Sequence, residues 1–343
     1  MEAWNRVKSS VISIILATNF FLILSFPAVA QPVDDYEIRG AQIWHAGQPV
    51  VLRGVNAMHI FGGDDPSLLS WKGIGIVREF VGDLRDTPLR RGEQYYDSKT
   101  RRTVHSLQDV VDANRAKGMV TILCPFSWDG TKETQFAGVG TPSQAWWYQQ
   151  YKQRMREWAQ QFRGQSDVWI EVMNEPFTKL DGVQDDQYWL HTVADMIGNL
   201  RGAGWGGIIL VPGSDWGGGE AIVEKMGPRL LAGRRNILFD IHIYNNWLAH
   251  PGTIPERCAR VQESGLPFIF AELGPGNKDQ YLVDARPFIH AARRNNFSVL
   301  AWGWGTWGER HYINLQTNDG GPNDNGNFNW GSAFKNFLAG VAK

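Results

Sequence analysis

A closed (β/α)8 TIM barrel in a single domain is the fold this 343-residue sequence predicts. Three observations point there. Short Val/Ile-rich runs alternate with longer amphipathic stretches along the chain; eight such runs occur, ending near Asn56, Arg78, Phe126, Asn174, Gly213, His242, Glu272 and Trp302; and each stops on polar or aromatic residues. Strands alternating with helices require a parallel sheet, and eight such units close into a barrel of about 250 residues. An open, doubly wound sheet is the competing architecture.

The elements follow in order. Arg6 and Lys8 precede an apolar run from Val11 to Phe26 and then Ala28-Val-Ala30, the layout of a secretory signal, so residues 1–30 read as a signal peptide and residues 31–343 as the barrel domain. An uncleaved anchor is the alternative, but the run is shorter than the ~20 residues a bilayer needs. Asp35 to Arg53 alternates short strands around His45-Ala-Gly47 and resembles a short N-terminal β-hairpin plugging the barrel bottom. Helical spacing marks Val104 to Lys117, Ser143 to Arg163, Asp186 to Arg201, Ile254 to Glu263 and Tyr281 to Asn295, with Trp147, Tyr151, Met155 and Trp158 as one core-facing stripe. Arg90 to Arg102, mixed in charge, reads as a solvated loop. Gly213-Ser-Asp-Trp-Gly-Gly-Gly219 lacks the Lys-Ser/Thr of a phosphate loop and reads as the connection after strand five. Asn318 to Asn329 reads as a long loop before a closing helix at Ser332 to Val341.

Composition narrows the partner. The net charge is −1 with both signs interspersed, which leaves no electrostatic footprint for nucleic acid or an anionic membrane surface. Sixteen Trp suit a neutral ligand with flat C–H faces, although many must be core. The two cysteines, Cys124 and Cys258, fall in a buried strand and on a helix and are expected as free buried thiols. His residues lack the helix-spaced pairs of zinc sites and the acids lack calcium-loop spacing, so neither metal nor cofactor is implied.

Chemistry concentrates at the strand carboxyl ends, the functional face of such barrels. Val168 to Pro176 is an apolar strand stopping on Asn174-Glu175-Pro176, and Pro267 to Glu272 ends on a lone acid. Two carboxylates at the ends of separate buried strands are what glycoside hydrolysis requires. Asn56, Arg78, His242, Tyr244 and Trp302 share that end of the barrel, and His242 and Tyr244, two apart, share a face. Glu171, inside its strand, reads as a paired structural acid.

Trp169-Ile-Glu-Val-Met-Asn-Glu-Pro176, Asp240-Ile-His-Ile-Tyr244, Phe270-Ala-Glu-Leu-Gly274, Leu52-Arg-Gly-Val-Asn56 and Ile76-Val-Arg78 together resemble glycoside hydrolase family 5, the cellulase and mannanase family of clan A, in order and spacing over essentially the whole mature chain. Asn-Glu-Pro alone would carry little weight. The resemblance implies Glu175 as general acid/base, Glu272 as nucleophile, Asn174 on the sugar 2-hydroxyl and Trp302 as the floor under the reacting sugar. Glu272 would be kept ionised by Tyr244 and Arg78, while desolvation and the neighbouring carboxylate would keep a proton on Glu175.

One departure stands out. The family usually carries a His after strand three; this chain reads Thr121-Ile-Leu-Cys-Pro-Phe-Ser-Trp-Asp129. Phe126, Ser127 or Trp128 must fill that space, and His59 is a candidate for the missing polar contact, with a solvated loop residue as the alternative. Trp128, Trp216, Trp247, Trp304 and Trp307 follow strand ends and are candidate sugar platforms, packing being the other reading of each. The expectation is a secreted or periplasmic monomeric, retaining endo-β-1,4-glucanase acting on a β-linked polysaccharide or oligosaccharide. A mannanase of the same family is the alternative, and a non-catalytic carbohydrate-binding barrel the remote one.

Overall fold

The computed structural model describes residues 36–61, 70–98, 100–135, 142–176, 179–180, 183–276, 281–305, 312–317 and 319–340. These belong to one compact unit, Val33–Lys343. The expected signal peptide and Trp307 lie outside the described residues.

Eight parallel strands close a barrel. They are β1 (Arg53–Ala57), β2 (Ile76–Val81), β3 (Val120–Pro125), β4 (Val168–Glu171), β5 (Ile209–Pro212), β6 (Ile237–Ile243), β7 (Phe268–Leu273) and β8 (Val299–Ala301), with β8 pairing back onto β1 at Leu300 and Gly54. Each corresponds to one of the eight apolar runs. Gly54 is dictated by the close approach of β1 and β2: a Cβ there would sit 1.8 Å from the Ile76 carbonyl oxygen of β2. The helices are α1 (Leu107–Arg115), α2 (Tyr148–Gln161), α3 (Asp186–Gly202), α4 (Glu220–Leu231), α5 (Asn245–Leu248), α6 (Ile254–Glu263), α7 (Arg286–Arg294) and α8 (Trp330–Leu338). Among the described residues, no helix is long and apolar enough to cross a membrane.

Alternation divides two cores. Outward residues of the strands meet the helices, where Trp147, Tyr151, Met155 and Trp158 are buried as the α2 stripe. Inward residues of the lower barrel, among them Ile76, Val120, Ile122, Trp169, Leu210, Leu238, Ile269 and Leu300, form a second apolar cluster. An antiparallel sheet of Glu37–Arg39, Gln42–His45 and Gln48–Val50 covers it, burying Ile43 and packing Ile38 and Val50 against it. The plug thus has three strands rather than two. Its tight turn takes Ala46 and Gly47 at φ 49° and 75°, the left-handed pair that suits strand twist.

Two local readings need correction. Gln94–Asp97 and Arg102–His105 pair as an antiparallel hairpin, so the stretch expected as a solvated loop carries strands, and helix α1 begins only at Leu107, where Ser106 caps the Asp109 amide. Tyr95 and Val104 face each other in this hairpin. Trp247 and Trp304 are also fully buried. Trp247 lies between Phe270 and Phe288, under the Arg257 guanidinium 3.8 Å from its ring, which makes it packing material.

Trp247→Ala should therefore lower unfolding free energy by about 3–5 kcal/mol, as large aromatic truncations in cores do. Denaturant melts measure this.

Candidate active site

Above the apolar layers, the barrel interior turns polar. Arg78 on β2 projects inward and is completely buried. All five of its N–H donors are used: Nε and Nη2 donate to the two oxygens of Glu171 at 2.6 and 2.8 Å, Nη2 also to Asn174 Oδ1 at 2.8 Å, and Nη1 to Asn56 Oδ1 at 2.9 Å and Glu272 Oε1 at 2.6 Å. A guanidinium can be buried on these terms because every donor meets an acceptor and two acceptors are charged. Glu171, the last residue of β4, is buried and paired with Arg78, as its reading as a structural acid expects. Burial pushes its carboxyl up, and Arg78 pulls the other way.

Glu272 is presented by an irregularity. The β6–β7 register shifts between Asp240 and His242, which pair with Ile269 and Glu272 respectively, so β7 carries one extra residue there. The backbone displaced at Ala271 is satisfied by side chains: Asp240 Oδ1 accepts its N–H at 2.9 Å, and Asn56 Nδ2 donates to its carbonyl at 2.7 Å. Glu272 then lies against Arg78 through Oε1 and accepts from the Tyr244 hydroxyl through Oε2 at 2.6 Å.

The two sequence-nominated carboxylates come together. One oxygen each of Glu175 and Glu272, with a ring nitrogen of His242, lie within 4.8 Å of one another. His242 Nδ1 is 2.8 Å from Glu175 Oε1 and 3.5 Å from Glu272 Oε2, and its Nε2 is 3.1 Å from Asp240 Oδ2. Arg78, Asn174, His242 and Tyr244 all belong to this cluster.

The distribution of burial differs from the sequence expectation. Glu272 has 4% of its side chain exposed and Glu175 14%, so desolvation falls on the strand-seven acid and not chiefly on Glu175. Burial raises the Glu272 carboxyl; the charges of His242 and Arg78 and the Tyr244 hydrogen bond oppose it, while Glu175 adds to it. Burial beside Glu272 and Glu175 holds Tyr244 well above the usual phenol range, so it is a neutral donor. For His242, burial works against charge, but Glu272 and Asp240 prevail and raise it well above the ordinary imidazole value.

A group of aromatic rings adjoins this cluster, with Phe80 under the Arg78 guanidinium. Trp302 and Phe126 are half-buried and both pack on Phe80, at centroid separations of 4.7 and 5.3 Å. Of Phe126, Ser127 and Trp128, Phe126 is the one whose ring packs on Phe80 beside Arg78. Ser127 turns away to the Gly82 carbonyl, and Trp128 is only 8% exposed.

Three nominated contacts are not presented to a ligand. His59 is buried with Nδ1 2.7 Å from Glu79 Oε1, and Glu79, adjacent in the strand to inward-facing Arg78, points to the outer layer, where Asn114 of α1 also donates to it. Trp304 is fully buried edge-on to Trp71, and Trp128 is in the same outer core. Burial in the outer core corrects all three readings. Trp216, by contrast, is 50% exposed.

Asp240 and Gly217 were missed. Asp240 lies two residues before His242 and so on the same face, which was the available signal; Gly217 had none beyond its loop. Glu171, Asp240 and His242 also offer atoms within 4.8 Å of one another, as a metal site would, as do Glu175, His242 and Glu272. Both oxygens of Glu171 already accept from Arg78, and both nitrogens of His242 already face carboxylates. The cysteines are buried free thiols, and burial pushes Cys124 well above the usual thiol range.

Tyr244→Phe removes a charge-assisted hydrogen bond and should lower kcat by about 10- to 100-fold, the equivalent of roughly 1.5–3 kcal/mol. That bond favours ionised Glu272. Its loss raises the Glu272 pKa further, so the acid-side fall of activity should move to higher pH, as a kcat/KM profile would record.

The sequence model described as cellulase (glycosyl hydrolase family 5) matches residues 67–308. The chain is 23% identical over 192 residues to a manganese-dependent endoglucanase, Eg5A, of Phanerodontia chrysosporium, covering 50% of this chain and 49% of that protein. It is 23% identical over 277 residues to a mannan endo-1,4-beta-mannosidase of Salipaludibacillus agaradhaerens, covering 78% and 81%. The chain therefore spans about half the length of the endoglucanase and most of the mannosidase. Among solved structures, a β-mannanase from Thermomonospora fusca superposes with a TM-score of 0.68 at 19% identity, covering 90% of this chain and 98% of that one. With the family match spanning most of the chain and the barrel shared, the protein belongs to glycoside hydrolase family 5.

Proposed function

We propose that this protein is a retaining β-glycosidase that cleaves within β-1,4-linked polysaccharide, with Glu272 as nucleophile and Glu175 as general acid/base. The observation that carries the reading is the approach of the two carboxylates, within 4.8 Å oxygen to oxygen. Retaining sites hold their carboxyl groups about 5–5.5 Å apart, whereas inversion needs about 6.5–9.5 Å to admit water.

The steps follow from the contacts. Glu272 attacks the anomeric carbon while Glu175 gives its proton to the departing glycosidic oxygen; the C–O bond breaks and an ester to Glu272 forms. Glu175, now a carboxylate, takes a proton from water, which displaces the ester. Arg78 and Tyr244 orient the attacking carboxylate. Because Asn174 Oδ1 accepts from Arg78, its NH2 is the end that serves a sugar 2-hydroxyl, and Trp302 offers the half-exposed ring beneath the reacting sugar.

For the polymer, cellulose-type glucan is the first reading, supported by the family description and the endoglucanase relative. Mannan is the second, favoured by the longer coverage of the mannosidase relative. Export follows from the signal-like N-terminus, and the enzyme is proposed to act as a secreted or periplasmic monomer.

Reducing-sugar release across glucan, mannan and xylan tests the polymer, and proton NMR of the first product tests the stereochemistry. The β-anomer should form first; initial α-anomer would reject retention. Glu272→Gln should cut turnover by several orders of magnitude with oligosaccharide binding kept, since it removes the covalent step. Unchanged turnover would sink the assignment.

A further inference from the structure

His242 is gripped from every side. Its Nε2 faces Asp240 Oδ2 at 3.1 Å from its own strand; its Nδ1 faces Glu175 at 2.8 Å after β4 and Glu272 at 3.5 Å on β7. Its backbone N–H donates to the Gly217 carbonyl at 3.0 Å. Gly217 also lies flat against the ring: at φ +73°, a Cβ there would sit 2.7 Å from Nδ1. The loop holding Gly217 is closed by antiparallel bridges between Gly213 and Gly217 and between Ser214 and Gly219.

Asp240 has the complementary arrangement. It is completely buried, its Oδ1 accepts the Ala271 N–H at 2.9 Å, and Arg78 Nη2 is 4.0 Å from Oδ2. Asp240 thus accepts a backbone N–H through one oxygen and faces a guanidinium and the His242 ring with the other. Its second oxygen therefore calls for a proton on Nε2. The carboxylates of Glu175 and Glu272 call for one on Nδ1. When Glu175 holds its proton, the Glu272 carboxylate 3.5 Å from Nδ1 still calls for an N–H there, so a doubly protonated imidazole is the form that serves Asp240 and Glu272 together.

We propose that Asp240 is a positioning residue that holds His242 as an imidazolium, whose Nδ1–H serves Glu272 and Glu175 in turn as negative charge passes between them. The inference rests on the glycosidase reading for its sequence of charges. Before attack, Glu272 is the anion and Glu175 the acid. When the glycosyl–Glu272 ester forms and the proton leaves Glu175 for the leaving-group oxygen, Glu272 becomes neutral and Glu175 becomes the anion. The Nδ1 proton never transfers; it changes hydrogen-bond partner over less than 1 Å of difference, 2.8 against 3.5 Å. A fixed cation between two alternating anions needs no reorganisation at the moment of reaction, the condition for electrostatic preorganisation. Among the described residues, the other ionisable groups interacting with this centre are Glu171, Arg78, Tyr244 and Cys124.

The test begins with unmodified protein. In 15N-histidine-labelled enzyme, the His242 resonances, assigned by their loss in His242→Asn, should show both ring nitrogens protonated between about pH 5 and 8. They should stay so after the nucleophile is trapped with a 2-deoxy-2-fluoro glycoside. A neutral ring at pH 7, or a single nitrogen titrating near the ordinary ~6.5, overturns the proposal. The second measurement is the kcat/KM profile of Asp240→Asn. Loss of the cation raises the Glu272 pKa, so the acid limb should move up by about one pH unit, the equivalent of roughly 1.4 kcal/mol. Folded Asp240→Asn with a lower plateau and unmoved limbs would mean a merely structural aspartate. Gly217→Ala, which crowds Nδ1, should lower kcat at least 10-fold with KM held, and an unaffected kcat counts against the grip. Because the NMR needs no substrate in the free enzyme, a wild type that cleaves no glycan would reject the glycosidase reading while leaving the His242 result to stand or fall alone.

Discussion

The buried guanidinium of Arg78 is the constraint around which the upper barrel is built. One side chain from β2 bonds to residues at the ends of β1, β4 and β7, and to Asn174 beyond β4. A charge so placed is costly to desolvate, and a hydrophobic replacement of such a network is often neutral or stabilising in other proteins. Stability alone does not account for it. Its geometry does something a hydrophobic cluster would not: it holds Glu272 through one oxygen and Asn174 through its carbonyl, leaving Glu272 Oε2 to Tyr244 and His242. The apolar layer of Ile122, Trp169, Leu210 and Leu238 beneath it seals the barrel from below, so that water does not compete for those five donors.

The same economy of side chains explains the irregular strand. A regular β7 would alternate its residues strictly, and an extra residue disturbs the ladder for one peptide unit. Asn56 and Asp240 take up the carbonyl and amide of Ala271, so the bulge leaves neither group unpaired. Each of those side chains has a second contact, to Arg78 and to His242. The bend that aims Glu272 is thereby linked to the groups that set its charge. The fold and the site are one hydrogen-bonded structure here, and a change at Asn56 would be felt at both.

The barrel was legible because its signal is repeated eight times and each run is bounded by polar residues. The acids were legible because they terminate two such runs. Tryptophan was harder to read: Trp302 and Trp304 are two residues apart after the same strand, yet one is half-exposed and the other fully buried against Trp71. Strand alternation stops applying once the strand has ended, and the loop path then decides. His59 misled for a related reason, since the chain leaves β1 toward the outer layer and meets Glu79 there. Asp240 was legible in principle by its two-residue spacing from His242, but nothing in the sequence announced the register shift that makes it an acceptor for Ala271.

The polar cluster and the aromatic group that adjoins it are chemically unlike, and the contrast bears on how the charges act. The first holds Glu175, His242, Tyr244 and Glu272; the second is the aromatic wall of Trp302, Phe80 and Phe126, with the Arg78 guanidinium 4.8 Å from the Phe80 ring centroid. An aromatic wall supplies no hydrogen bonds to compete for sugar hydroxyls and displaces water from the space facing the carboxylates. Coulomb interactions strengthen as the local dielectric falls. The positive charge facing Glu272 comes from Arg78 and, on the proposed reading, His242. A sugar seated against that wall would be held by ring contact and by hydroxyls reaching toward Asn174 and the polar side, which ties ligand choice to the shape of the aromatic face rather than to added hydrogen bonds.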